Sequence, residues 1–197
     1  MIPRRSDLSE HWGLDENTVF LNHGSFGATP IAILEEQQRL RERLESDPVL
    51  FVERISRDLW WESILAISEF INAEPDGMTF VTNATAGVNT VLRSLVLNEG
   101  DEILVPNHAY QACWNAIDYV TSRSGAKTVV VDIPFRVESE DEVVNLVLDA
   151  VTENTVLALI DTVTSPTGLR MPFEKLVKDL QSRGVDVLLD AAHGPGI

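Results

Sequence analysis

The chain has 197 residues, 44% of them hydrophobic, and sets 31 acidic side chains against 15 basic ones for a formal charge of −16. That length and apolar content can bury one substantial core, while the acidity opposes binding to nucleic acid or to an anionic membrane surface. A single cysteine, Cys113, excludes an intramolecular disulfide, and no run of about 18 apolar residues is present to span a bilayer, so a cytoplasmic protein is expected.

The start, from Met1 to Asp7, carries Arg4 and Arg5 but no following apolar stretch, which is not the pattern of a secretory signal. Thr18-Val19-Phe20-Leu21 reads as a short extended segment. It leads into Asn22-His23-Gly24-Ser25-Phe26-Gly27, a loop by its glycines and Asn. Thr29 and Pro30 read as N-cap and first residue of a helix that runs to Asp47-Pro48. A second helix is expected over about 51–71, from the spacing of Ile55, Leu59, Ile64, Ile67 and Ile71. Residues 1–77 are thus expected to form an N-terminal helical arm.

From Met78 onward short apolar runs alternate with helical patterns. Strands are expected over 78–82, 102–105, 128–133, 156–160 and 185–190. Helices are expected over 84–97, 110–121, 140–151 and 173–182. Apolar strands joined by helical crossovers predict an α/β fold over 78–197, with a mainly parallel sheet flanked by helices.

Four loops at carboxyl strand ends carry the chemistry, and open α/β sheets bind ligands at that edge. Asn83-Ala84-Thr85-Ala86-Gly87 opens a helix with small residues and a hydroxyl, suited to a phosphate, although Asn83 or Thr85 could serve only as a cap. His108 and Tyr110 offer rings for stacking on a planar ligand, or for packing. Cys113 reads as a small buried hydrophobe, with nothing nearby to make it a nucleophile. Asp161-Thr162-Val163-Thr164-Ser165-Pro166-Thr167-Gly168 is rich in hydroxyls. Asp190-Ala191-Ala192-His193-Gly194-Pro195-Gly196 ends the set with an acid and an imidazole. A serine-hydrolase reading lacks the nucleophile elbow, and the histidines at 11, 23, 108 and 193 show no metal-ligand spacing, so no metal is expected.

These phrases, together with Leu21-Asn22-His23-Gly24-Ser25-Phe26-Gly27, occur in an order that resembles class V aminotransferase-like enzymes of fold type I, and most closely their isopenicillin N epimerase-like branch. The resemblance implies pyridoxal 5′-phosphate as cofactor and an amino-acid substrate activated through an aldimine. It implies a large cofactor-binding domain, partly represented by 78–197, and a homodimer for the full-length protein. It would place Ala84, Thr85 and Ala86 at the cofactor phosphate, and Tyr110, with His108 as a second choice, over the pyridine ring. Ser165 stands where many relatives carry an Asn near the phenolic oxygen, and His193 would lie beside that oxygen. Asp190 would meet the pyridinium nitrogen, and Asn22 and His23 would line the substrate entrance.

The family's Schiff-base lysine and small C-terminal domain are expected beyond Ile197. Of the three lysines, Lys127 opens a strand while Lys175 and Lys178 lie on an expected surface helix, so no catalytic residue is assigned within the chain. The first strand is expected to be short of sheet neighbours and the 197 residues alone to be marginally folded. Three further readings are a cysteine desulfurase or C–S lyase of the same family, a non-catalytic binding protein that retains the loops, and a nucleotide-binding module. The last lacks a Gly-rich dinucleotide turn and a Walker lysine.

Overall fold

The structure is a computed structural model that describes residues 5–196. Met1–Arg4 of the polar start, and Ile197, lie outside the described residues. The chain divides into two compact units, Met1–Thr79 and Phe80–Ile197.

In the first unit a short 3-10 turn, Asp7–His11, is capped by the Ser6 hydroxyl, which accepts from the Leu8 N–H at 3.2 Å. Helix α1 spans Ile31–Ser46. Its N-cap is Pro30, with ψ of 144°, and not Thr29 as the sequence suggested. The Pro30 carbonyl accepts from Ile33 and Leu34, which fixes Pro30 as the half-in residue. The second expected helix is interrupted at its start. Pro48–Leu50 forms a one-turn α2, capped by the Asp47 carboxylate, and Phe51–Ile55 winds as a π-turn before α3 runs over Ser56–Ile71. Asn72, at φ 54°, ends α3 in the left-handed region that Asn tolerates. The extended segment expected at Thr18–Leu21 is irregular and forms no strand.

The second unit is a four-stranded, all-parallel sheet: β1 Glu102–Pro106, β2 Lys127–Val131, β3 Thr155–Asp161 and β4 Asp186–Asp190, in the order β2-β1-β3-β4. Helices α4 Ala84–Ser94, α5 Gln111–Ser124, α6 Glu140–Asp149 and α7 Phe173–Ser182 flank it. The strand expected at Met78–Thr82 does not form. Aromatic and β-branched residues such as Phe80 and Val81 suit a strand locally, but a strand exists only when a neighbour completes its ladder, and no ladder among the described residues includes this segment.

Helix α6 shows why these segments wind where they do. The Ser139 hydroxyl caps it by accepting from the Glu142 N–H, Glu142 reaches back to the Glu138 N–H at 2.7 Å, and its first turn is acidic throughout. Helix α5 ends at Gly125, with φ of 78°, where a Cβ would also crowd Glu99 at 3.3 Å.

Strand alternation divides the core. One face carries Leu104, Ala158 and Ile160, covered by Val143, Val144 and Val147 of α6 and by Leu176 and Leu180 of α7. The other carries Ile103, Val105, Leu157 and Leu159, covered by Val88 and Leu92 of α4 and by Cys113, Ala116 and Ile117 of α5. A fully buried leucine such as Leu176 or Leu180 contributes about 2 kcal/mol of hydrophobic stabilisation. The chain leaves β1 toward β2 on one side and β3 toward β4 on the other. The order therefore reverses between β1 and β3, and a crevice at the carboxyl ends of those strands is where such sheets take ligands.

Candidate functional site

The turns after β1, β3 and β4 all leave the same edge of the parallel sheet, and side-chain hydrogen bonds knit them together. After β1, Asn107 is anchored to the end of β2. Its Nδ2 donates to Asp132 at 2.6 Å and to the Ile133 carbonyl at 3.1 Å, and its Oδ1 accepts from the Ile133 N–H at 3.0 Å. His108 follows, 7% exposed, with Nδ1 3.0 Å from the Thr167 hydroxyl. Thr167 in turn lies 2.7 Å from the Thr164 hydroxyl, which accepts from the Leu169 N–H at 2.9 Å. The loops flanking the topological switch are thus joined through His108. Tyr110 stands at the N-cap of α5, 45% exposed and without a side-chain capping bond. Of the two candidate rings, Tyr110 has the open face, whereas His108 is held in the loop framework.

The acids form the densest part of the edge. Asp161 and Asp190 end neighbouring parallel strands and are in register, so their side chains leave the sheet on the same face. Counting back along each strand, that face carries Leu159 and Leu188 and is the one covered by α5. Both acids are buried, at 3% and 6% exposure. The Cys113 thiol of α5 donates to Asp190 Oδ2 at 3.3 Å, and the Ala192 N–H donates to Asp190 Oδ1 at 3.1 Å. Asp161 Oδ2 is buried with no hydrogen-bond partner. Burial, reinforced by the charge of Asp190, pushes the Asp161 carboxyl up to about 7. Burial and the hydrogen bond to Asp190 push the Cys113 thiol up to about 12, which makes it a neutral donor rather than a nucleophile.

The turn after β4 is laid against the end of β3. The Thr162 N–H donates to the Asp190 carbonyl at 2.9 Å. A Cβ on Gly194 would meet Thr162 Oγ1 at 3.0 Å, so this close approach favours glycine. His193, half-buried, sits in that turn, and Ser165 lies exposed at the tip of the β3 loop.

Ala84, Thr85 and Ala86 form the first turn of α4. The Asn83 side chain caps it, accepting from the Ala86 N–H at 2.8 Å, and leaves the Ala84 and Thr85 N–H groups for a ligand or for water. Among the described residues this turn makes no hydrogen bond to the loops of β1, β3 or β4. Asn22 and His23 belong to the first unit. The Asn22 carbonyl accepts from the Phe26 N–H at 3.0 Å, and the His23 ring packs edge-on against Phe20, with centroids 4.7 Å apart.

Lys127 opens β2, at the opposite edge of the sheet from the acid pair, and Lys175 on α7 donates to Asp141 at 2.6 Å. Among the described residues no group of three or more His, Cys, Asp or Glu is placed to hold a metal ion, and none of their helices is long and apolar enough to cross a membrane.

Asp161 and Cys113 are the site members that the sequence reading did not select. The signal for Asp161 was present, since Leu159-Ile160-Asp161 and Leu188-Leu189-Asp190 are two apolar strand ends closed by the same acid.

With the geometry established, comparison with known proteins is informative. Residues 57–196 match the family model described as aminotransferase class-V. The isopenicillin N epimerase of Streptomyces clavuligerus is 31% identical over 93% of this chain and 46% of its own length. An L-cysteine desulfhydrase of Arabidopsis thaliana is 32% identical over 97% of this chain and 46% of its own length. The solved cystine C–S lyase C-DES superposes with a TM-score of 0.82 at 20% identity, over 92% of this chain and 49% of that one. A mutant of that lyase has been solved with glycine covalently linked to its PLP cofactor. The sheet with its flanking helices is therefore the fold of the large domain of fold-type I enzymes. The chain spans about half the length of the curated relatives it matches. By motif order, family match and relatives alike, this chain belongs to the class-V aminotransferase family.

Proposed function

We propose that the chain supplies the cofactor edge of a pyridoxal 5′-phosphate enzyme that acts on an amino acid, of the isopenicillin N epimerase-like kind. The observation that carries this reading is Asp190, a buried acid at the carboxyl edge of a parallel sheet whose own hydrogen bonds come from Cys113 and Ala192. A carboxylate so placed suits a cationic ring nitrogen. The small-residue turn at Ala84–Ala86, with two N–H groups uncommitted within the helix, fits a phosphate.

When bound, the cofactor supplies an electron sink for charge developing at the substrate Cα. The chain's residues hold it in place for that work. Asp190 would accept from the protonated ring nitrogen and keep the proton there. Ala84 and Thr85 would donate backbone N–H groups to the phosphate, with the Thr85 hydroxyl beside them and Ala86 leaving room for it. Tyr110 would pack on the ring, while His108 braces its loop through Thr167. Ser165 and His193 would donate toward the phenolic oxygen, and Asn22 and His23, in the first unit, are the residues assigned to the substrate. The protein works as a homodimer in the cytoplasm.

A second reading, a C–S lyase acting on cysteine, is favoured by the desulfhydrase relative, whose identity to this chain equals that of the epimerase within a percentage point. One experiment separates the readings. The full-length protein, loaded with pyridoxal 5′-phosphate, is given L-cysteine and a panel of other L-amino acids in D2O. Exchange or inversion at Cα without sulfide supports the epimerase reading, and sulfide release from cysteine supports the lyase. Cofactor uptake without either reaction supports a binding protein.

A further inference from the structure

We propose that Asp161 is a positioning residue for Asp190: it holds the proton of a buried carboxyl pair, so that Asp190 stays the anion presented to a ligand's protonated ring nitrogen. The ligand half of this inference rests on the cofactor reading above; the pair itself does not.

Three observations carry it. The two acids are in register on adjacent parallel strands, leave the sheet on one face, and are both buried beneath α5. Two carboxylates on neighbouring strands away from water repel each other, and one proton on either acid relieves that repulsion. The hydrogen-bond donors are divided unequally. Asp190 accepts on both oxygens, from Cys113 and from Ala192, whereas Asp161 Oδ2 is buried without a donor. Donors stabilise the charged form; Asp161 has only its own backbone N–H, so the proton settles on the acid with fewer of them.

Asp190 is the one charge that bears on Asp161, and the titratable groups on the neighbouring loops are His108, held by Thr167, and His193 in the turn after β4. Cys113 on α5 is neutral, β1 from Ile103 to Asn107 has no ionisable side chain, and neither does α4 from Ala84 to Leu92. The rise of the Asp161 carboxyl to about 7, caused first by burial and then by Asp190, agrees with this placement. A protonated Asp161 removes the repulsion that would otherwise drive a proton onto Asp190, and so leaves Asp190 free to accept from a cation.

The test is 13C NMR of the full chain labelled at aspartate Cγ, titrated between about pH 4 and pH 9, for the parent and for Asp161→Asn and Asp190→Asn. One carboxyl resonance is expected to titrate near 7 in the parent and to be absent from Asp161→Asn. In Asp190→Asn it should move to lower pH, because its charged neighbour is gone; this assigns the signal even if Asp161→Asn does not fold. Absence of any carboxyl titrating above about pH 5.5, or survival of that resonance in Asp161→Asn, overturns the proposal.

Saturating pyridoxamine 5′-phosphate should lower the midpoint by about one unit, since a cation then faces the pair. A saturated chain with an unmoved midpoint overturns the positioning role while leaving the cofactor reading intact. Failure of the ligand to bind, with the resonance still assigned to Asp161, overturns the cofactor reading and the positioning role together, but leaves the proton where we place it.

Discussion

The two faces of the sheet are built from the same strands yet do different work. The face under α6 and α7 is apolar along its length, from Leu104, Ala158 and Ile160 to Val187 and Leu189. The face under α4 and α5 is equally apolar through Leu157 and Leu159, and then ends in Asp161 and Asp190 with a thiol above them. Strand alternation alone separates the roles, because a period of two sends successive residues to opposite faces. A fold can therefore concentrate buried charge at one corner and leave the opposite packing to stabilise it.

The largest effect that sharpens this contrast is pH dependence. Asp161 is raised from 3.8 to about 7 on folding, so its stabilising contribution is complete below about pH 4 and is lost as pH rises through about 7. Across that window the parent should lose up to about 4 kcal/mol of unfolding free energy. In Asp161→Asn this part of the slope should vanish, as read by urea denaturation at pH 5 and pH 8.

On the apolar face, Leu176→Ala should cost about 3 kcal/mol by the same denaturation measurement. It should leave the affinity for pyridoxamine 5′-phosphate unchanged in the variant that remains folded. An equal loss of affinity would break the division between faces. On the charged face the reverse is expected. Asp190→Asn should weaken the ligand by about 10- to 100-fold in equilibrium titration, the range of one charge-assisted hydrogen bond. The smallest effect lies at the helix start, where Asn83→Ala removes the cap on Ala86 and should cost about 1 kcal/mol of stability.

Legibility in the sequence followed the same division. Helix α7 falls on Phe173–Ser182 as expected, because Pro172 marks its start and its apolar residues keep helical spacing. The α/β alternation, the parallel sheet and the loops at carboxyl ends were equally plain, since each is written in local pattern. Met78–Thr82 misled for the converse reason: its residues suit a strand, but pairing depends on residues elsewhere in the chain. The π-turn at Phe51–Ile55 left no periodic trace. In the site, Asp190 stood out by its motif. Asp161 did not, because its significance comes from the register between β3 and β4, which no single loop records.

The bridge from His108 to Thr167 and Thr164 has a directional consequence. The Thr164 hydroxyl accepts from the Leu169 N–H, and its nearest partner for donation is Thr167 at 2.7 Å, the Leu169 carbonyl being more distant at 3.4 Å. Thr167 then has its own hydrogen left to give, and the atom within reach is His108 Nδ1. With the hydrogens running in that direction the imidazole carries its hydrogen on Nε2, and 15N shifts of His108 read the direction of the chain. Two threonines on one loop thus tie their own hydroxyl orientation to which edge of a ring on another loop can offer a hydrogen.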